Sequence, residues 1–186
     1  MINSIGRGAR LSKADLQGAF RHVLVHPTDW WLLGFMWNTL FYFDTFLGFG
    51  LCSAPFLYNI FAELLHWACL AAGINLLIHY LDDFLFVEPP QHPPSALQIF
   101  SAICIHLGFL IEPSKTVLPT QTLDFLGIDF DTDKMEASLP QDKLIRCLGS
   151  ISVLQHKSSC TQQTLLSLIG DLQFACKVIP AGRIFL

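Results

Sequence analysis

Two adjacent carboxylates, Asp82 and Asp83, stand inside an apolar run. Leu76-Leu77-Ile78-His79-Tyr80-Leu81 precede them and Phe84-Leu85-Phe86-Val87 follow. Taking an ionised carboxylate out of water is costly unless a partner compensates. No basic partner is nearby in sequence. After Arg21 the next Lys or Arg is Lys115, and Asp29, Asp44, Glu63, Asp82, Asp83, Glu88 and Glu112 lie between them. Such a chain must bring the pair to a solvated cleft or to a divalent cation. A hairpin tip does so, with the flanking apolar strands holding the two acids rigidly.

The surrounding pattern predicts the rest of the architecture. Leu11 to Leu16 reads as a strand with Asp15 near its end, and His22 to His26 alternates like another. Trp31 to Trp37 and Phe41 to Phe46, joined across Asn38-Thr39, read as a hairpin. Ser53 and Pro55 suit a helix start, apolar residues from Phe56 to Ala72 keep helical spacing, and Gly73 is a stop. Asn75 to Tyr80 and Phe84 to Val87 form the hairpin of the acid pair. Pro89, Pro90, Pro93 and Pro94 predict a loop, Ser95 to Leu107 a helix closed by Gly108, and Phe109 to Ile111 a short strand. Leu123 to Phe130 and Met135 to Leu139 predict a third hairpin, followed by helices near Gln141 to Gln155 and Thr161 to Val178. The order defines an α+β fold, a largely antiparallel sheet with helices on one face.

Charged residues make up only 14% of the chain and hydrophobic residues 52%, against a usual charged share of about 25%. That excludes disorder as the main state. The net charge of −4 argues against a free-standing basic nucleic-acid binder. The six cysteines show no pairs at zinc-finger spacing and read as buried thiols of a reducing, intracellular compartment, cytoplasm or nucleus. Ile2 to Arg10 holds no apolar run of the kind a secretion signal needs. Leu64 to Leu81 carries no Asp, Glu, Lys or Arg, a length that could span a bilayer. His66, Gly73, Asn75 and His79 interrupt it, and no Lys/Arg cluster flanks it. A membrane protein with Asp82 and Asp83 at the boundary is thus the lesser alternative.

Five segments occur in a telling order: Asp15 followed by Phe20; the loop Phe49 to Pro55; Tyr80-Leu81-Asp82-Asp83; Leu107-Gly108-Phe109 leading to Lys115; and Leu123-Asp124-Phe125-Leu126-Gly127. Together they resemble motifs A to E of reverse transcriptases, over most of the chain from about Leu11 to about Val178. The wording Lys13-x-Asp15-Leu16-x-x-Ala19-Phe20-Arg21, with Phe49-Gly50-Leu51 and Ala54-Pro55, is similar to retrotransposons of the DIRS and Ty3 kinds. Gly48 stands where that subgroup often has Pro.

The resemblance implies a right-hand polymerase palm with partial fingers and the start of a thumb. Residues 1–139 would be the fingers remnant and palm, and 140–186 the helical start of the thumb or connection. It implies RNA-directed DNA polymerase activity by two-metal nucleotidyl transfer to a primer 3′-hydroxyl. Asp15, Asp82 and Asp83 would be catalytic. They and the Leu16 carbonyl would hold two Mg²⁺ ions, with Mn²⁺ as a substitute. Phe20 would lie under the incoming sugar and Phe49 and Gly50 beside the nucleotide. Lys115 would approach the phosphates, or is an ordinary surface lysine. Leu126 and Gly127 would grip the primer end. The implied partners are an RNA or DNA template with its primer, deoxynucleoside triphosphates and further domains of a parent polyprotein, with no membrane. So few residues precede Asp15 that the chain reads as a truncated copy. A remnant that keeps the palm fold and only binds a partner is the alternative.

Overall fold

The structure, a computed structural model, describes residues 1–91, 93 and 95–185. Pro94 of the proline loop lies outside them. The chain divides into two compact units, Met1–Thr120 and Gln121–Leu186.

The first unit opens with a short helix, α1 (Ile2–Ile5), and is built on a four-stranded sheet. Its strands β1 (Arg10–Asp15), β4 (Leu77–Tyr80), β5 (Asp83–Glu88) and β6 (Val117–Thr120) run in the order β4-β5-β1-β6, every neighbour antiparallel. A separate hairpin pairs β2 (Gly34–Trp37) with β3 (Leu40–Phe43). The expected Asn38-Thr39 turn joins them, both residues at positive φ, +48° and +65°, as a two-residue hairpin turn requires. Two helices, α2 (Ala54–Ala71) and α3 (Ala96–Leu107), cover the sheet.

Strand register decides what lies where. Ala14 pairs with Phe84 and Ser12 with Phe86 across β1 and β5, while His79 and Leu77 continue the same two rows on β4. Paired residues share a face. Ala14, Leu77, Phe84 and Phe86 therefore meet the helices, in one core with Tyr58, Ala62, Leu65 and Cys69 of α2 and Phe100 and Cys104 of α3. Phe100 stands 4.7 Å from Phe84 and 5.1 Å from Phe86, ring centre to ring centre. Phe84 to Val87 are all buried. This explains why the strand reads as continuous apolar sequence rather than alternation: it is central and covered on both faces.

Four local expectations change, one of them in the hairpin: Trp31 to Leu33 belong to a 3₁₀ turn (Pro27–Leu33), and only Gly34–Trp37 is strand. Phe109 to Ile111 contributes only a single bridge, Ile111 to Leu16, because Gly108 turns the chain at φ +81° just before it and Pro113 starts a short 3₁₀ turn just after. The pairing partner of β1 is instead β6, which carries Pro119 and so lies at the sheet edge. His22 to His26 forms no strand: His22 ends a 3₁₀ turn (Ala19–His22), and beyond it a single bridge joins Leu24 to Phe46.

The second unit holds a three-stranded antiparallel sheet, β7 (Thr122–Phe125), β8 (Ile128–Asp131) and β9 (Glu136–Ser138), then α4 (Gln141–Gln155) and α5 (Gln162–Ala175). The expected long strand Leu123 to Phe130 is broken in two. Leu126 and Gly127 both take positive φ, +51° and +74°, and fold it into a tight turn. Among the described residues no helix is long and apolar enough to cross a membrane.

The stacked phenylalanines carry much of the first unit's stability. Phe100→Ala is expected to cost about 3–5 kcal/mol, read from urea denaturation. A loss under about 1 kcal/mol would mean that the sheet does not depend on this packing.

Candidate functional site

The sheet places two acids face to face. Asp15, the last residue of β1, pairs directly with Asp83, the first residue of β5. Asp82 lies in the turn joining β4 to β5, and its carbonyl accepts the Leu16 N–H at 3.1 Å. Asp15 and Asp83 occupy the face opposite Ala14 and Phe84, because side chains alternate along a strand. The same rule that turns the phenylalanines to the helices therefore turns the acids to the other face, where Asp15 is buried and Asp83 half-buried. Leu81 holds the turn at φ +54°, a conformation that costs a residue with a Cβ about 1–3 kcal/mol. Its side chain packs on the core and offsets this.

Lys115 reaches the acids from 100 residues away. It ends the 3₁₀ turn Pro113–Lys115, and its Nζ donates to Asp15 Oδ2 at 3.0 Å. Glu112 braces that turn: its N–H donates to the Asp15 carbonyl at 2.8 Å, and its carboxylate accepts from Ser114. A cleft of ≈ 360 Å³ opens here, lined by Asp15, Leu16, Asp82, Phe49 and Lys115 among others.

The electrostatics reflect crowding. Burial pushes the Asp83 carboxyl up to about 6, helped by the charges of Asp15 and Asp82 and by a hydrogen bond to Asp15, against the pull of Lys115. Asp82 is raised by burial and then by Asp15, and its own backbone and Lys115 oppose this. Lys115 is held above the ordinary lysine value by its hydrogen bond to Asp15 and by the Asp15 charge. The cluster supplies hard oxygen donors with surplus negative charge, which suits Mg²⁺ or Mn²⁺. In this conformation the lysine ammonium takes the place of a cation on Asp15. Among the described residues no three His, Cys, Asp or Glu side chains are grouped to hold a metal ion.

Beside the acids runs an aromatic wall. Phe20, half-buried in the 3₁₀ turn after β1, meets Phe49 edge-on at 5.2 Å and Tyr58 at 5.6 Å. Phe49 is exposed, and Gly50 next to it takes φ +94°. Tyr58 was not singled out by its sequence. It is fully buried, its hydroxyl has no hydrogen-bond partner, and burial followed by the charges of Asp82 and Asp15 raises its pKa strongly. The only signal was a hydroxyl on the buried stripe Ala54, Tyr58, Ala62, Leu65 and Cys69 of α2. Leu126 and Gly127 belong to the second unit, in the β7–β8 turn.

An antiparallel sheet backed by two helices, with opposed acids at its strand ends, is the palm of a polymerase. Solved structures show the same fold. A foamy viral protease-reverse transcriptase in complex with double-stranded DNA superposes with a TM-score of 0.72 at 20% identity, over 92% of this chain and 28% of that one. The foamy viral enzyme in complex with an RNA/DNA hybrid gives 0.70 at 20% identity, over 89% and 21%. The chain belongs to the reverse transcriptase (RNA-dependent DNA polymerase) family, whose pattern it matches over residues 2–130. It is 26% identical over 182 residues to the Pro-Pol polyprotein of Simian foamy virus type 1, which covers 97% of this chain and 15% of that polyprotein. The chain thus spans a small fraction of the proteins it matches.

Two outcomes follow from the site. Asp83 is raised in the folded state, so its contribution to stability is full below the unfolded carboxylate value near 3.8 and is lost as pH rises through about 6. In metal-free buffer the melting temperature is expected to fall between about pH 4 and 6, and Asp83→Asn to flatten that slope. An unchanged slope in the variant would show that Asp83 is not the group responsible. Tyr58→Phe removes an unpartnered buried hydroxyl and is expected to stabilise the fold by about 1 kcal/mol. Destabilisation of similar size would reveal a partner for that hydroxyl.

Proposed function

We propose that this chain is the palm-centred part of an RNA-directed DNA polymerase that extends a primer 3′-hydroxyl on an RNA or DNA template. The observation that carries the reading is the direct pairing of Asp15 with Asp83 beside Asp82. Family membership supports it. So do the nucleic-acid complexes of the structural relatives, one with double-stranded DNA and one with an RNA/DNA hybrid.

Asp15, Asp82 and Asp83, with the Leu16 carbonyl, are the groups that would hold two Mg²⁺ ions, Mn²⁺ being an acceptable substitute. When bound, the ions lower the pKa of the primer hydroxyl and neutralise the triphosphate and its leaving group. The chain's own residues do the rest by position and charge. Lys115, displaced from Asp15, turns its ammonium toward the phosphates of a deoxynucleoside triphosphate. Phe20 presents a flat ring to the sugar, backed by Tyr58 and flanked by Phe49, and leaves little room for a 2′-hydroxyl. Gly50 allows close backbone approach to the nucleotide. Leu126 and Gly127 hold the primer end.

In this reading residues 1–139 supply the fingers remnant and palm, and 140–186 begin the thumb. The parent is a polyprotein, as in the foamy viral relative. The wording around Asp15 and Phe49 supports a DIRS- or Ty3-like element. All six cysteines are free; Cys69, Cys104, Cys147 and Cys176 are buried as expected, whereas Cys52 and Cys160 are exposed, and the free thiols support an intracellular setting, cytoplasm or nucleus.

Primer extension on an RNA template with Mg²⁺ and deoxynucleotides tests the reading. Asp15→Asn and Asp82→Asn are each expected to lose about 100-fold or more in rate, with melting behaviour like the parent's. Extension that survives both substitutions overturns the assignment of the acids. A folded parent chain without extension overturns polymerase activity for this chain alone.

A further inference from the structure

We infer that Lys143 is a positioning residue: it clamps the Leu126-Gly127 turn from helix α4 and so fixes the surface that meets the primer end. The second half of that statement rests on the primer-grip reading of the turn. The clamp itself stands on geometry within the second unit.

Lys143 Nζ donates to the Gly127 carbonyl at 3.1 Å. The same ammonium lies 4.1 Å from the centre of the Phe174 ring on α5. One charged group thus joins three elements, the β7–β8 turn, α4 and α5. The approach is close enough that a side chain on Gly127 would have to push the lysine aside. A Cβ on Gly127 would stand 1.8 Å from Nζ, and φ +74° there already favours glycine. Two other cations of this unit are engaged by carboxylates: Arg146 bonds Asp171 at 2.6 Å and Lys134 bonds Asp131 at 3.1 Å. Lys143 instead meets a carbonyl and an aromatic face, neither of which neutralises it. It forms a charge-assisted hydrogen bond and a cation–π contact, both stronger than their neutral counterparts.

A tight turn with a bulky residue at positive φ has reason to be held. Leu126 stands at φ +51° with 44% of its surface exposed. Without an external hold, the strain there favours loosening of the turn. Lys143 supplies the hold from behind, and the Leu126 side chain is left free to face a ligand. Lys177, 5.0 Å from the same ring, adds a second cation but makes no contact with the turn's carbonyl.

The test uses the full chain with Lys143→Met, Lys143→Arg and the parent, in two independent measurements. The first is amide hydrogen exchange across Phe125 to Ile128, which needs no nucleic acid. Lys143→Met is expected to speed exchange at least about tenfold, the worth of one charge-assisted hydrogen bond, and Lys143→Arg to restore most of the protection. Unchanged exchange overturns the clamp.

The second measurement is equilibrium binding of fluorescein-labelled duplexes with a recessed primer 3′ end or a recessed 5′ end. Lys143→Met is expected to abolish preference for the 3′ end while leaving the salt dependence of binding as it was. Retained preference despite faster exchange overturns the link to the primer. If Lys143 itself contacts phosphate, both duplexes weaken alike and the slope of log affinity against log salt falls by about one. That result also overturns the positioning role. A parent chain without any end preference overturns the primer-grip reading, and the exchange measurement still decides the clamp.

Discussion

Everything in the first unit answers to one unfavourable contact, the cross-strand pair Asp15–Asp83. Like charges directly opposite each other in a sheet are destabilising, and here burial adds to the cost, as the raised Asp83 carboxyl shows. The register that creates the pair is nonetheless the one that lets Ala14 meet Phe84 and Ser12 meet Phe86. Slipping β1 by one residue would relieve the acids but turn Ala14 away from the helices and drive Asp15 into them. The aromatic packing of Phe84, Phe86 and Phe100 under α2 and α3 is therefore what enforces the repulsion. The register that packs the helix-facing side thus also holds the two acids together at the strand ends.

The same division of labour recurs at smaller scale. Leu81 takes a backbone conformation that a bulky residue avoids, and its side chain, packed on the core, holds it there. Phe20 sits between a fully buried Tyr58 and an exposed Phe49, so its ring is fixed from inside and presented outward. In the second unit, Leu126 repeats the strained tip, and Lys143 replaces the hydrophobic anchor with a charged one. In each case a strained or exposed group is fixed by a neighbour placed on the inner side.

The sequence made the acid hairpin, α2, α3, α4 and the Asn38-Thr39 turn legible, because each is a local pattern: apolar period, turn residue, stop glycine. Asp82 and Asp83 stood out for the same reason, as carboxylates in apolar surroundings, whereas Asp15 was marked only by the order of the five motifs. What was not legible depends on contacts distant in sequence. The Lys115–Asp15 hydrogen bond spans 100 residues, and nothing around Lys115 distinguishes it from a surface lysine. Strand β6 contains Pro119 and exists because β1 has a free edge, not because Val117 to Thr120 is a strong strand former. The break at Leu126-Gly127 was masked by the apolar residues on both sides. Tyr58 was hidden by its own spacing, which is that of an ordinary core position.

The distribution of bases gives this arrangement its logic. Between Arg21 and Lys115 no side chain carries a permanent positive charge, and the cation that bonds the acid pair is Lys115, through Asp15. The Lys115 side chain is 61% exposed and that of Asp15 8%. The lysine is therefore the mobile partner and the carboxylate the fixed one. A strongly hydrated point charge on a flexible stem is readily exchanged for another cation, whereas a bidentate arginine would hold the site closed. The chain keeps its negative charges rigid and its neutralising charge loose.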